Sequence, residues 1–188
     1  MVTNNNTVVS IIMNCFNGEK FLQDAIESVL SQTYQNWEVI FWDNQSTDQS
    51  ANIFLGYTDQ RLKYFYAESH TFLYKARNLA VSKAKGEFVA FLDVDDLWSP
   101  EKLMKQIPLF EDPVVGFVSC KSWVLNNRSN IPQKMHHKDF PTGRVLSQLL
   151  KQYFLVLSSL VIRRSAFDSM GEGFDPTLHV LGDIDFIV

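Results

Sequence analysis

Cysteine is scarce: Cys15 and Cys120 are the only two in 188 residues. Two thiols so far apart build no disulfide framework and match no metal-ligand spacing, so a reducing, cytoplasmic setting fits best. Both read as small buried residues rather than nucleophiles. Long apolar runs are missing too, and no stretch approaches the roughly 20 residues of a bilayer span. The opening Met1–Thr7 is polar and Asn-rich, without the basic start or apolar core of a signal peptide. Basic residues are not in excess: 17 Lys and Arg against 21 Asp and Glu leave a net charge of -4. That balance argues against a non-specific nucleic-acid binder. Glycine-rich loops are absent as well. Asn14-Cys15-Phe16-Asn17-Gly18 holds one glycine, so no G-x-G-x-x-G follows the first apolar run, and no G-x-x-x-x-G-K-[ST] occurs anywhere. The dinucleotide fingerprint and the P-loop are both excluded.

What is present is a core-forming chain. Hydrophobic residues make up 46% and aromatic residues 13%, which excludes disorder. Val8–Met13 has a buried-strand pattern, and Glu19–Ser31 carries apolar residues at helical spacing. Trp37–Trp42 reads as a second strand ending at Asp43. Ser46-Thr47-Asp48 is an N-cap cluster for a helix reaching about Tyr57. Leu62–Tyr66 reads as a third strand. Leu73–Lys85 reads as a helix stopped by Gly86. Phe88–Leu92 is a fourth strand, Ser99-Pro100-Glu101 opens another helix, and Val114–Cys120 is a fifth strand. Strands alternating with helices predict an α/β fold with a mostly parallel central sheet. Ligands of such sheets bind beyond the carboxyl ends of the strands. Asn14, Asn17, Asp43, Asn44, Asp93, Asp95 and Asp96 should therefore share one edge.

After Cys120 the pattern loosens. Asn126–Asn130 reads as a turn, and His136-His137 as a solvated loop rather than a metal site. Gly143–Tyr153 looks helical, Phe154–Ile162 is apolar, and Arg163-Arg164-Ser165 starts a short helix. No repeat or linker divides the chain, so one domain is expected over 1–188. The chain stops in the run Gly182–Val188, apolar at its end and without a cap, which reads as truncation of a longer domain.

Four groups of residues look chemical, each with a plainer alternative. Asp93-Val94-Asp95-Asp96 puts three carboxylates where an apolar strand ends. Such a cluster suits an oxygen-liganded divalent ion, or else forms a polar turn and cap. Asp43 is placed to accept hydrogen bonds from a base or ribose, or to form an Asx-turn. Arg77 lies within an otherwise apolar helix, where it pairs with phosphate or base, or points to solvent. Either Asp183 or Asp185 is placed to act as a general base, or Asp183 is a helix cap.

Taken in order, these segments are similar to a known family. Val9–Gly18, Ala25–Tyr34, Trp37–Asp48, Ala76-Arg77-Asn78, Phe91–Asp96 and Gly182-Asp183 resemble the successive motifs of family 2 glycosyltransferases, over roughly residues 8–188. The resemblance implies a GT-A fold, with 7–120 as the nucleotide-sugar half and 121–188 as the acceptor half. It implies a metal-dependent, inverting transfer from a nucleotide-diphosphate sugar, most often a UDP-sugar. Asn14, Phe16, Asn17, Asp43, Arg77, Asp93, Val94 and Asp95 would bind the donor. Asp95 and Asp93 would hold Mn²⁺ or Mg²⁺, and Asp183 would deprotonate the acceptor. Asp96 would only cap the turn.

The same resemblance points to cell-surface polysaccharide synthesis with a saccharide, lipid-linked or protein acceptor. It leaves peripheral membrane association open, at the inner face of the membrane. The alternative is a nucleotide-binding module of the same fold without turnover. Four positions depart from the family pattern. Asn14 stands where many relatives have Pro, Asn44-Gln45 where they have Asp-Gly, and Gly182 where they have an acidic residue.

Overall fold

The computed structural model describes residues 8–125, 132–135, 140–171 and 173–187. The first strand, β1 (Val9–Cys15), is followed by helix α1 (Glu19–Leu30), β2 (Trp37–Asp43), α2 (Ser50–Leu55), β3 (Leu62–Tyr66), α3 (Leu73–Val81) and β4 (Phe88–Phe91). Each strand in this half is parallel to its neighbours. The chain continues through α4 (Lys102–Gln106), a 3-10 turn (Ile107–Glu111), β5 (Phe117–Val118), β6 (Trp123–Leu125) and β7 (Pro132–Lys134). It ends with α5 (Leu146–Lys151), a second 3-10 turn (Leu157–Ser159), β8 (Val161–Arg163), α6 (Arg164–Ser169) and α7 (Gly182–Ile187).

The main sheet has six strands in the order β3-β2-β1-β4-β8-β5. It is the expected mostly parallel sheet, with one addition: β8 enters antiparallel between β4 and β5. β6 and β7 form a separate two-stranded ribbon.

Both faces of the sheet are covered, which is why its strands read as continuous apolar runs. Side chains alternate between two cores. Val9, Ile11 and Met13 of β1, with Val39 and Phe41 of β2, pack with α1 and with Phe54 and Leu103. Ile12, Ile40 and Trp42 face the other way, onto Tyr74, Ala76, Ala80 and Phe167.

A polar junction crosses this core. Ser10 Oγ donates to Glu38 Oε1 at 2.6 Å, and the backbone N–H of Lys85 donates to the same oxygen at 2.8 Å. Lys63 completes an ion pair with Glu38. The hydrogen bonds to the Glu38 carboxylate outweigh its burial and hold its pKa below the usual range.

Several boundaries differ from expectation. Gly86 does not stop a helix, because α3 ends at Val81. A Cβ at Gly86 would lie 2.6 Å from the Val8 carbonyl and 2.7 Å from the Ser10 nitrogen, so glycine there serves close packing on β1. α2 begins at Ser50 rather than at Ser46-Thr47-Asp48. Asp48 accepts from the N–H groups of both Ser50 and Glu19, and Glu19 accepts from that of Gln49. The acidic cluster thus ties the starts of α1 and α2 together.

The expected fifth strand contracts to Phe117–Val118 and the helix at 143–153 to Leu146–Lys151. The apolar stretch 154–162 divides into a 3-10 turn and β8, since length and hydrophobicity alone do not distinguish such pieces. Met1–Thr7, the turn at Asn126–Asn130 and His136-His137 lie outside the described residues. Among the described residues, no helix is long and apolar enough to cross a membrane.

Candidate functional site

The parallel register sets the site. Cys15 pairs with Asp43, and Ile12 with Phe91, so β1, β2 and β4 end at one edge. The loops that leave this edge carry the residues singled out in the sequence.

Asp43 is fully buried. One of its oxygens accepts from the Ser46 N–H at 2.7 Å and the other from the Tyr64 hydroxyl at 2.7 Å. The Asx-type turn is therefore formed, and it holds the loop that follows β2. Burial, and next the bond to Asp43, drive the Tyr64 pKa well above the ordinary phenol value. Gln45 takes a left-handed backbone, φ +68°, where a glycine would be strain-free. Its amide offsets some of that cost by donating to the carbonyls of Ala67 and Glu68.

Asn44 reaches across to the segment before α3. Its Nδ2 donates to the Thr71 carbonyl at 2.7 Å, and its Oδ1 accepts from the Thr71 N–H at 3.2 Å. Its carbonyl lies 2.8 Å from His70 Nδ1, so that nitrogen carries the proton. The result is a cleft of about 230 Å³ lined by Asn14, Phe16, Asn44, His70, Thr71 and Phe72, among others. Phe16 and His70 meet with ring centroids 4.4 Å apart. Asn14 Nδ2 is buried here without a hydrogen-bond partner. Phe72 in turn meets His179 edge-on at 4.2 Å, which links this cleft to the loop before α7.

Asn17 sits at φ +56°, and its Oδ1 accepts from the Thr47 N–H at 2.8 Å. It braces the two strand-end loops against each other. Gly18 allows β1's loop to approach the carboxylate turn. A Cβ there would lie 2.9 Å from Cys15 Sγ and 3.0 Å from Val94 Cγ2.

Arg77 is 2% exposed, which removes the solvent-facing alternative. Its Nη1 donates to Asp183 Oδ1 at 2.6 Å and its Nη2 to Asp93 Oδ1 at 2.8 Å. The guanidinium thus joins the end of β4 to the start of α7. Burial raises the Asp183 pKa, Arg77 opposes that rise, and Asp93 adds to it.

The three carboxylates after β4 are not equivalent. Asp93 is bound to Arg77, while Asp95 is exposed. Asp96 turns inward, where burial raises its pKa against the opposing bond to Ser158. Ser158 Oγ also accepts from the Asp93 N–H at 3.3 Å. Asp96 is thus more than a cap: it joins the 3-10 turn at 157–159 to the carboxylate loop.

Among the described residues, no group of three or more His, Cys, Asp or Glu side chains could enclose a metal ion. The donor set nevertheless fits a hard cation that completes its shell from a ligand. Magnesium is commonly held by one or two carboxylates together with substrate phosphates. Asp95 is the exposed oxygen donor there, with Asp93 beside it.

The structure thus brings Asp93, Arg77 and Asp183 into direct contact. It gathers Asn14, Phe16 and Asn44 at the neighbouring cleft, and it keeps Asp43 beneath the loop. The carboxylates that pair with Arg77 are Asp183 and Asp93, not Asp185. His70, Thr71, Phe72, Tyr74 and Ser158 carry no signal in the sequence, because no motif or periodicity marks a residue whose partner is distant in the chain.

A model of glycosyl transferase family 2 matches residues 10–171. The chain is 38% identical over 133 residues to the Escherichia coli UDP-Glc:alpha-D-GlcNAc-diphosphoundecaprenol beta-1,3-glucosyltransferase WfgD, covering 68% of this chain and 53% of that protein. It is 39% identical over 118 residues to the Bacillus subtilis putative teichuronic acid biosynthesis glycosyltransferase TuaG, covering 62% of this chain and 47% of the relative. The chain therefore spans about half the length of these relatives. Among solved structures, residues 1–349 of S. aureus TarS in complex with UDP-GlcNAc superpose with a TM-score of 0.81 at 27% identity. That match covers 95% of this chain and 51% of TarS 1–349.

Proposed function

The chain belongs to glycosyl transferase family 2, and from that premise we propose that it transfers a sugar from a UDP-sugar to an acceptor hydroxyl with inversion. The observation that carries this reading is the Asp93–Arg77–Asp183 triad at the carboxyl edge of the sheet. It puts a donor-side carboxylate and a base candidate on one guanidinium.

The cleft beside Phe16 and His70 receives the base, with the Asp43 turn as its support. The diphosphate lies toward Asp93 and Asp95. There a Mn²⁺ or Mg²⁺ ion held by those carboxylates would offset the charge on the departing diphosphate. Asp183 accepts the proton of the acceptor hydroxyl, and its burial brings its basicity toward the range that work requires. Arg77 keeps the Asp183 carboxylate oriented and stands beside the developing negative charge.

The name of WfgD specifies a diphosphoundecaprenol-linked acceptor. A lipid-linked diphosphate saccharide is accordingly the acceptor class we favour, with the reaction at the cytoplasmic face of the membrane. Residues 121–188 form the acceptor side.

Thermal shift with UDP-, GDP- and dTDP-sugars, with and without Mn²⁺, tests the donor assignment, because a ligand of the native state raises apparent stability. UDP-sugars are expected to give the largest shift, and to need the metal for it. Equal shifts for all donors, or none, would overturn the reading. Asp183→Asn should keep the shift and lose transfer. Binding without turnover in the unmodified protein would instead identify a nucleotide-binding module.

A further inference from the structure

Two adjacent residues of α7 are held by two side chains of α3. Arg77 binds Asp183, and three positions earlier on the same helix Tyr74 binds Gly182. Residues three apart lie on one helical face, so one face of α3 receives the start of α7. The Gly182 N–H donates to the Tyr74 hydroxyl at 2.9 Å in a buried setting. The Tyr74 ring lies directly over Gly182. A Cβ there would fall 2.4 Å from Cε2 and 2.5 Å from Cζ of the ring. That is far inside van der Waals contact, and the ring cannot retreat. It is 6% exposed, and it stacks on Phe174, which stacks in turn on Phe186 of α7.

The residue before this pair is strained. Leu181 has φ +62°, outside the comfortable range for a branched side chain. Its carbonyl receives the N–H groups of Ile184 and Asp185 at 3.0 and 3.1 Å. Strain of this kind persists only where the surroundings over-determine it. Here the hydroxyl of Tyr74 fixes Gly182 on one side, and the Phe174–Phe186 stack fixes the far end of the helix on the other.

We infer that Tyr74 is a positioning residue for Asp183, and that Tyr74 and Gly182 are a matched pair in which the large ring requires the absent side chain. This rests on the reading of Asp183 as the general base. Any side chain at 182 must displace the Tyr74 ring.

The test uses Tyr74→Phe, Tyr74→Ala, Gly182→Ala and the Tyr74→Ala/Gly182→Ala double variant of the full protein. It has three readouts: transfer kinetics, UDP binding by calorimetry with Mn²⁺, and the guanidinium N–H resonances of Arg77. A misplacement of about 1 Å can cost on the order of a hundredfold in rate. On that scale Gly182→Ala is expected to lower kcat about a hundredfold, and Tyr74→Phe about tenfold, with donor KM and UDP affinity within about twofold of the parent. In the Tyr74→Ala background the alanine at 182 should cost no more than about threefold, because the clash is gone.

The Arg77 resonances should shift in Tyr74→Phe and Gly182→Ala, and Gly182→Ala should add little in the double variant. Equal costs of Gly182→Ala with and without Tyr74, or unchanged Arg77 resonances in both single variants, would overturn the pairing. If the unmodified protein neither binds UDP nor transfers sugar, the glycosyltransferase reading fails. The Arg77 spectra still decide whether Tyr74 sets the contact between Asp183 and Arg77.

Discussion

Arg77 and Asp183, 106 residues apart in the chain, meet in a 2.6 Å charge-assisted hydrogen bond at a position where the arginine is almost wholly buried. The same guanidinium holds Asp93, so its removal leaves two carboxylates facing each other. Arg77→Met should cost about 3 kcal/mol of stability, the low end for breaking a buried pair, because both carboxylates reach solvent. Chemical denaturation reads this directly. Arg77→Lys should recover the charge but not the two-pronged geometry, and so only part of the loss.

The same contacts predict a pH effect. Burial raises the Asp183 pKa, Arg77 lowers it and Asp93 raises it. A base works only when deprotonated, so the acid limb of kcat/KM should follow Asp183. In Arg77→Met the limb should move to higher pH, and in Asp93→Asn to lower pH. A limb unmoved in both variants would exclude Asp183 as the titrating base.

Asp95 is exposed, so Asp95→Ala should leave the unliganded protein as stable as before. UDP affinity in the presence of Mn²⁺ should fall at least about tenfold, which is about 1.4 kcal/mol. Without the metal the two proteins should bind alike. Calorimetry with and without chelator separates these terms.

Lys102 is a buried cost outside the site. It is 5% exposed, its Nζ has no hydrogen-bond partner, and burial pushes its pKa down to about 7. It lies over the Trp98 ring at 3.9 Å. With the folded value below the unfolded one, the unfolded chain binds more protons between these values, and stability rises with pH across that window. The Lys102→Met protein should therefore be more stable near pH 7, by on the order of 1–3 kcal/mol, the cost of a buried polar group left unsatisfied. The gap to the parent should close as pH rises toward the ordinary lysine range. A gap that widened with pH would contradict the assignment.

Glycine-to-alanine changes should separate two kinds of glycine. At Gly86 the new methyl meets the backbone of Val8 and Ser10 at 2.6–2.7 Å, which nothing nearby can relieve. At Gly116 the nearest atom is 3.5 Å away, an ordinary contact. Gly86→Ala should cost about 3 kcal/mol and Gly116→Ala little, as measured by thermal unfolding.

The β1–β4 half was legible because its signal is local. Both-face burial writes each strand as an apolar run, and the polar residue that ends the run marks the functional edge. Asp93 and Asp95 stand at such an end; Asp183 does not, and it was singled out by its place behind Gly182 and by the family resemblance. The second half was legible in its short helices α5 and α6 but not in its strands. β5 has two residues and β8 has three, too short to carry a period, and β8 joins the sheet by pairing with a strand more than 70 residues earlier. Asp43 shows the limit at a single residue. Its place at a strand end and its local turn with Ser46 were plain, but its bond to Tyr64 depends on a neighbour that only the fold supplies.

The insertion of β8 between β4 and β5 has a consequence for how the protein is made. As the chain emerges from the ribosome, β1 to β4 can pair through short-range crossovers, which form fast. The outer edge of β4 then stays unpaired until residues 161–163 arrive, and an open strand edge is an invitation to wrong partners. Ser158, which grips the Asp93–Asp96 loop, arrives in the same late stretch. The carboxylate loop is therefore set late, so nascent chains carry an exposed edge before they carry a finished site.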